Sequence, residues 1–241
     1  MVIIMVNDYS GRTAKEYLVK RIDHKMWLSE QKEIEKIVGA IPHGSSVLDV
    51  PFGTGRFAQL YLNAGLKVFG IDISKDMLDE AKSFLKDDYA LCNIAVGDAE
   101  NLPFDDSSID YIICCRLLNL VPAETVYNII NELVRVVDKK LIIAIRIKDF
   151  SIIKILVRII KTIFFDPKSF LLGLIKIFKK LFIKDIKNDN HSLLLDFSYN
   201  GLIKVIEQNN FTLSDMIEIN CGKFQRILYP LKFYIIEKKS N

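Results

Sequence analysis

Two acidic residues and two glycines lie where predicted strands end, and from there they could hold a polar small molecule. Residues 46–58 read Ser-Val-Leu-Asp-Val-Pro-Phe-Gly-Thr-Gly-Arg-Phe-Ala, which predicts a short buried strand, a glycine turn and a helix. Because glycine has no Cβ, Gly53 and Gly55 can adopt positive φ and let a ligand approach the backbone closely. Asp49 lies near the end of this strand, and Asp72 closes the next one. Ligands of open α/β sheets bind at the carboxyl ends of the strands, so these residues predict a nucleotide or nucleoside site.

The composition predicts an ordered protein with a sizeable core. The chain has 241 residues, of which 50% are hydrophobic, and its formal net charge is +3. This length suits one large α/β domain or two small domains, and no low-complexity tail argues against an ordered protein. The apolar start is too short for a signal sequence, and no run of about eighteen uncharged apolar residues could span a membrane. Since the four cysteines lack C-x-x-C spacing, we expect reduced core thiols and a cytoplasmic protein. The cysteines are residues 92, 114, 115 and 221.

Hydrophobic periodicity alternates between strands and helices along most of the chain. Ser74 is the predicted N-cap of a helix whose inner face carries Met77, Leu78 and Ala81. Repeated β-α-β units imply right-handed crossovers and a parallel sheet with helices on both faces. The last two strands are joined by a loop, so we expect them to pair antiparallel. The predicted strands are 46–50, 67–72, 92–97, 109–115, 140–147, 211–220 and 231–237. The predicted helices are 55–64, 75–86, 122–137 and 198–209, preceded by helical spacing over 10–39.

Residues 149–190 break this alternation with two amphipathic helical segments, each cationic on one face and apolar on the other. The second segment begins at Asp166-Pro167, an N-cap followed by proline at the first helical position. We expect the insertion to be a lid whose apolar face closes a binding site. The alternative is that residues 151–187 lie in the headgroup region of an anionic membrane, at the inner membrane face. The basic faces carry Lys154, Arg158 and Lys161, and Lys176, Lys180, Lys184 and Lys187.

Four sequence segments each contain a predicted strand end or the turn that follows it. They are Val47-Leu-Asp-Val-Pro-Phe-Gly-Thr-Gly55, Gly70-Ile-Asp-Ile-Ser-Lys-Asp-Met-Leu-Asp-Glu-Ala81, Gly97-Asp-Ala-Glu-Asn-Leu-Pro-Phe104 and Ile109-Asp-Tyr-Ile-Ile-Cys-Cys115. Together they resemble the class I S-adenosylmethionine-dependent methyltransferases. The resemblance covers about residues 45–147 and resumes at 191–238.

This resemblance implies a Rossmann-like, doubly wound α/β fold. Its seven-stranded sheet has the order 3-2-1-4-5-7-6 with the last strand antiparallel, and the helical lid is inserted into it. The implied cofactor is S-adenosylmethionine, and the implied reaction moves its methyl group by in-line displacement to O, N or C of a small, lipophilic molecule. The single domain would comprise N-terminal helices (1–44), a cofactor-binding core (45–148), the insertion (149–190) and a C-terminal helix with an antiparallel strand pair (191–241).

The resemblance also implies a role for individual residues at the carboxyl edge of the sheet. Asp49 would attract the ammonium of the zwitterionic methionine end, and backbone N–H groups around Gly53 and Gly55 would receive its carboxylate. Asp72 would accept hydrogen bonds from both ribose hydroxyls, for which a carboxylate is suited. The implied adenine contacts are Asp98 with the amino group, the Ala99 N–H with a ring nitrogen, and Ile73 and Leu117 on the two ring faces.

Pro51 departs from the glycine that is usual in the family at this position. Proline has no N–H and holds φ near about −65°, so it removes one donor from the turn. Tyr17 and Arg21, in the predicted helix before the sheet, are the candidates to replace that contact with the cofactor carboxylate.

Methyl transfer from a sulfonium requires alignment and exclusion of water. A metal is not needed, and no Cys/His cluster has metal-ligand spacing. A base helps only where the nucleophile carries a proton. His191, which ends the insertion, is the predicted base, whereas His24 is assigned to packing and His43 to solvent. Asn119 is predicted to orient a polar group, and Arg116 to meet an anionic substrate or else pair with a helix acid.

Two other interpretations stay open from the sequence: an NAD(P)-binding oxidoreductase, and a domain that binds the cofactor without catalysis. Gly53-x-Gly55-x-x-Ala58 followed by Asp72 also fits the dinucleotide fingerprint. Asp49 would repel a pyrophosphate, and the Gly97-Asp98-Ala99 turn is foreign to the dinucleotide pattern, which favours the methyl donor. Basic residues do not interleave with aromatics as in nucleic-acid binders. We therefore expect a small-molecule substrate and no nucleic acid, while the oligomeric state is not predicted.

Overall fold

The computed structural model describes residues 25–147, 198–219 and 231–239. Within these ranges one seven-stranded sheet is flanked by helices. The insertion and four of the residues singled out in the sequence lie outside the described residues: 149–190, Tyr17, Arg21, His24 and His191.

Strands and helices alternate in the order that the periodicity predicts. The helices are α1 (Lys25–Gly39), α2 (Ala58–Asn63), α3 (Lys75–Leu85), α4 (Ala123–Val136) and α5 (Tyr199–Gln208), with a 3₁₀ segment at Lys86–Leu91. The strands are β1 (Ser46–Asp49), β2 (Lys67–Asp72), β3 (Cys92–Val96), β4 (Ile109–Cys115), β5 (Val137–Ile145), β6 (Phe211–Ile219) and β7 (Leu231–Lys238). None of these described helices has the length and apolar character needed to cross a membrane.

The sheet has the order β3-β2-β1-β4-β5-β7-β6, which confirms the predicted topology. β1 pairs in parallel with β2 and with β4, and β7 pairs antiparallel with both β5 and β6. The chain therefore builds outward from β1 in one direction through β2 and β3, then returns to the other side of β1 for β4. Such a reversal of strand order opens a crevice at the carboxyl ends of the two central strands.

Two hydrophobic clusters, one on each face of the sheet, hold the helices in place. Side chains of a strand alternate between faces, so the adjacent thiols of Cys114 and Cys115 belong to different clusters. Both are buried and free, as predicted. The predicted cap of α3 is confirmed, because the Met77 N–H donates to Ser74 Oγ at 3.3 Å. The predicted inner face of this helix is buried as well.

Two predicted helix boundaries differ from the structure. The helix expected over 55–64 begins only at Ala58, because Gly55 has φ +72°, which no right-handed helix accommodates. At the other boundary, the helix expected over 122–137 ends at Val136. Val137 is already extended (φ −75°, ψ 136°) and pairs with Ile109 of β4, so β5 begins three residues earlier than its apolar run indicates.

Candidate functional site

The carboxyl ends of β1, β2 and β4 meet at the point where the strand order reverses. Asp49 ends β1 and is in register with Gly70 of β2 and Ile113 of β4. Asp72, the last residue of β2, lies on one side of it, and Arg116, which follows β4, lies on the other. The structure therefore brings three of the predicted site residues to one edge, where α/β sheets bind their ligands.

The turn after β1 uses its own N–H groups within the chain. The Phe52 N–H donates to the Ile71 carbonyl at 2.8 Å, and the Gly55 N–H donates to the Phe52 carbonyl at 3.1 Å. The Gly53 N–H donates to Asp72 Oδ2 at 2.7 Å. The N–H groups of Gly53 and Gly55 themselves thus have partners within the chain, and the expected contact of a carboxylate with the N–H groups around these glycines stays a prediction. The two glycines serve the shape of the turn, since they have φ values of +57° and +72°.

The Phe52 ring packs in the core beneath this turn. It belongs to the hydrophobic cluster that contains Leu78 and Ala81 of α3, and only 2% of the residue is exposed. The ring lies so close to Gly70 of β2 that a Cβ on that glycine would overlap it. Phe52 therefore fills space between the sheet and α3.

Asp49 is a buried carboxyl group whose ionised form has few stabilising partners among the described residues. Burial, the largest effect, raises the pKa of Asp49 well above the ordinary value, and the charge of Asp72 raises it further. The neighbouring Tyr61 hydroxyl and the charge of Arg56 lower this pKa and so oppose the rise. Among the described residues Asp49 has no salt bridge. The buried Thr54 hydroxyl, in the adjacent turn, likewise has no hydrogen-bond partner in the described part of the chain. A cationic, hydrogen-bonding group placed here would stabilise the ionised form of Asp49.

Asp72 organises the turn while keeping acceptor capacity. Its Oδ2 accepts the Gly53 N–H, and its Oδ1 accepts the Ser74 N–H at 2.8 Å. Burial raises the pKa of Asp72, and the N–H groups of Ser74, Gly53 and Ile73 oppose that rise. A carboxylate offers about four lone-pair sites, so Asp72 keeps acceptor capacity for hydroxyl groups.

The residues predicted to contact the adenine lie just after the carboxyl ends of β2, β3 and β4. Asp98 Oδ1 accepts the Glu100 N–H at 3.0 Å and so shapes the loop after β3, and Ala99 beside it is buried. Ile73 is half-buried between β2 and α3, and Leu117, after β4, packs against a core cluster. These positions are compatible with the expected contacts, which stay predictions.

The two predicted catalytic residues within the described ranges are engaged in contacts inside the protein. Asn119 Oδ1 accepts the Arg146 N–H at 2.9 Å and ties the loop after β4 to the end of β5. Arg116 donates from Nε and Nη2 to the Glu30 carboxylate at 2.8 and 2.9 Å. Of the two roles expected for Arg116, this structure contains the pairing with a helix acid.

A charged cluster that the sequence analysis missed joins α1 to this edge. Glu30, which is 2% exposed, accepts from Arg116 and also from Arg56 Nη1 at 2.9 Å. The other Arg56 nitrogens donate to Gln31 Oε1 at 3.1 Å and to the Trp27 carbonyl. The Arg56 guanidinium stacks 3.6 Å from the centroid of the Trp27 ring. The available signal was the helical i, i+3, i+4 spacing of Trp27, Glu30 and Gln31, which puts them on one face.

Comparison with known proteins gives matches to methyltransferases. Residues 47–140 match the family model described as a methyltransferase domain. The chain is similar to a malonyl-[acyl-carrier protein] O-methyltransferase of Pectobacterium atrosepticum, with 32% identity over 104 residues that cover 42% of this chain and 39% of that protein. It is also similar to a demethylmenaquinone methyltransferase of Renibacterium salmoninarum, with 43% identity over 75 residues that cover 31% of this chain and 30% of that protein. The chain thus spans less than half the length of these two curated relatives.

A solved structure extends the likeness to the whole fold. Magnesium protoporphyrin IX methyltransferase from Synechocystis, with bound S-adenosylhomocysteine (SAH), is 17% identical and has a TM-score of 0.69. The superposition covers 98% of this chain and 99% of that one. Residues 47–140 thus match the methyltransferase domain family, and the chain that contains them shares the Rossmann-like α/β fold of this methyltransferase.

Proposed function

We propose that this protein transfers the methyl group of S-adenosylmethionine to a small, lipophilic acceptor. The observation that carries the proposal is the pair of buried carboxyl groups on adjacent central strands, Asp49 and Asp72, beside the glycine turn. An amino-acid ammonium at Asp49 and ribose hydroxyls at Asp72 match these two acceptors. A dinucleotide would bring the negative charge of its pyrophosphate, at the glycine turn, against the buried Asp49 carboxylate, which is unfavourable.

The described residues fit the cofactor by their chemistry. Asp49 is without a salt-bridge partner in the described ranges, and burial raises its pKa, so an ammonium would relieve the cost of ionising it. Asp72 keeps acceptor positions beside a turn whose shape depends on Gly53 and Gly55. Asp98 and Ala99 follow the next strand and would meet the adenine.

The bound cofactor supplies a methyl group on a positively charged sulfur. The protein would hold that group in line with the acceptor and keep water away from it, which lowers the barrier mainly through orientation. In this proposal His191 is the candidate base for an acceptor that carries a proton. A lipophilic acceptor is supported by one of the relatives, because demethylmenaquinone, in the name of that protein, is a mostly apolar molecule.

Isothermal titration calorimetry tests the cofactor assignment. We expect the protein to bind SAH with micromolar affinity and to give no heat with NAD. Asp72→Ala should lose SAH binding, whereas the matched control Asp79→Ala, which removes an exposed carboxylate paired with Lys75 on α3, should keep it. Because Asp72 also accepts two backbone N–H groups, Asp72→Asn is the second variant, and the thermal melt of each protein reports whether it is folded. Binding of NAD in place of SAH would contradict the proposal.

A further inference from the structure

The cofactor has a zwitterionic end, so its site must hold both an ammonium and a carboxylate. Asp49 is suited to the ammonium, but several backbone positions of the turn after β1 are not available to the carboxylate. Pro51 has no N–H, and the N–H groups of Phe52, Gly53 and Gly55 already donate within the chain. α2 begins after the turn but has six residues, so its dipole is small. A cationic side chain at this edge would add charge-assisted donors to the backbone N–H groups that remain in the turn.

The charged cluster around Glu30 has one positive charge more than negative. Arg56 and Arg116 are two cations, and Glu30 is the acid between them. All three side-chain nitrogens of Arg56 have partners in the cluster. Arg116 uses only Nε and Nη2, and in the described part of the chain its Nη1 has no hydrogen-bond partner. Its side chain is also the more exposed of the two, at 21% against 11% for Arg56.

Arg116 lies at the correct edge for this role. It follows β4, the neighbour of β1, whose last residue is Asp49. The ammonium and the carboxylate of an amino acid share one carbon atom, so a carboxylate whose ammonium is at Asp49 must lie at this same edge. Arg56 connects the two places, because its charge acts on Asp49 and it shares Glu30 with Arg116. The backbone of Arg116 has φ +65°, a conformation that is uncommon for a residue with a side chain and that clusters at functional sites.

We infer that Arg116 receives the carboxylate of the cofactor's amino-acid end through Nη1, while Glu30 holds the guanidinium in place. This inference rests on the proposed function and adds the group that recognises the second charge of the cofactor. Arg116 would thus replace the N–H donor that Pro51 lacks. Glu30 neutralises one of the two arginines, so the carboxylate would meet a net charge of one and the bound pair would be balanced.

The test compares SAH with its decarboxylated analogue, which keeps the adenosine, the thioether and the amine. Both ligands are titrated calorimetrically into wild type, Arg116→Gln, Arg116→Lys and the control Arg135→Gln, an arginine paired with Glu132 on α4. A charge-assisted hydrogen bond corresponds to about a tenfold to hundredfold change in affinity, so wild type should prefer SAH by that factor. Arg116→Gln should lose the preference with little change in affinity for the analogue, Arg116→Lys should keep part of it, and Arg135→Gln should keep all of it.

Two results would overturn the inference. Wild type that binds SAH and the analogue equally does not recognise the carboxylate, and this measurement needs no variant to fold. Arg116 variants that weaken both ligands by the same factor would assign the arginine a purely structural role. Wild type that binds neither ligand would instead overturn the proposed function itself, so the two failures are distinguishable.

Discussion

Removing the carboxylate of Glu30 should destabilise the protein strongly, because two arginines depend on it. Glu30 accepts three charge-assisted hydrogen bonds, one from Arg56 and two from Arg116, at 2.8 to 2.9 Å. Breaking a buried ion pair by removing one partner costs about 3–5 kcal/mol. Both guanidinium groups keep some contact with solvent, so we expect Glu30→Ala to fall at the lower end, at about 3 kcal/mol. For a chain of this size that loss corresponds to a decrease in Tm of roughly 6–12 °C.

Urea denaturation and calorimetric melting measure this loss, and Glu33→Ala is the matched control. Glu33 lies on the same helix and pairs at 2.8 Å with Lys36, whose side chain is 71% exposed. An exposed pair of this kind contributes less than about 1 kcal/mol. If Glu30→Ala is no more destabilised than Glu33→Ala, the cluster does not hold α1 against the sheet, and the reasoning from burial is refuted.

Two further substitutions test the carboxyl edge and the turn. Burial raises the folded-state pKa of Asp49 above its unfolded value of 3.8, so the folded protein binds the extra proton and stability falls as pH rises from about 4 through the folded-state pKa. Asp49→Asn should therefore have a higher melting temperature than wild type at pH 8, and this difference should shrink toward pH 4. The variant should also bind SAH more weakly. A difference in melting temperature that does not depend on pH, measured by fluorescence, would contradict this reasoning. Gly55→Ala should cost about 1–3 kcal/mol in urea, because Gly55 has φ +72° and a Cβ there would lie 2.7 Å from Leu85 Cδ1. Gly39→Ala is the control, because a Cβ at this position, the end of α1, would meet no atom within 4 Å; equal losses in the two variants would show that the turn tolerates a side chain.

The parts of the fold that follow from local patterns could be predicted from the sequence. Alternating periodicity predicts the strands and helices, and the loop between the last two strands predicts their antiparallel pairing. The helix start at Ala58 could not be predicted in the same way, because it depends on the left-handed conformation that Gly55 adopts under Leu85. Periodicity alone leaves the conformation of a glycine undetermined.

The sequence predicts where the site residues lie better than it predicts which groups they contact. Asp49 and Asp72 lie at the expected strand ends, because parallel strands bring their carboxyl ends together. The hydrogen bond from the Gly53 N–H to Asp72 was not predicted. A sequence motif identifies the N–H donors of a turn, but the acceptors depend on which residues the fold brings close to them. The pairing of Glu30 with Arg116 spans 86 positions and depends on how α1 docks. No pattern within a single helix contains that information.

Because of the position of β7, the strands of the sheet cannot all pair with their neighbours in the order in which they are synthesised. β7 lies between β5 and β6, although both precede it in the chain. Neither of those strands can acquire this neighbour until residues 231–238 have left the ribosome. All the parallel pairs, by contrast, are made between residues 46 and 145. The edge that carries Asp49 and Asp72 can thus have its strand pairing complete while the antiparallel half is still being translated.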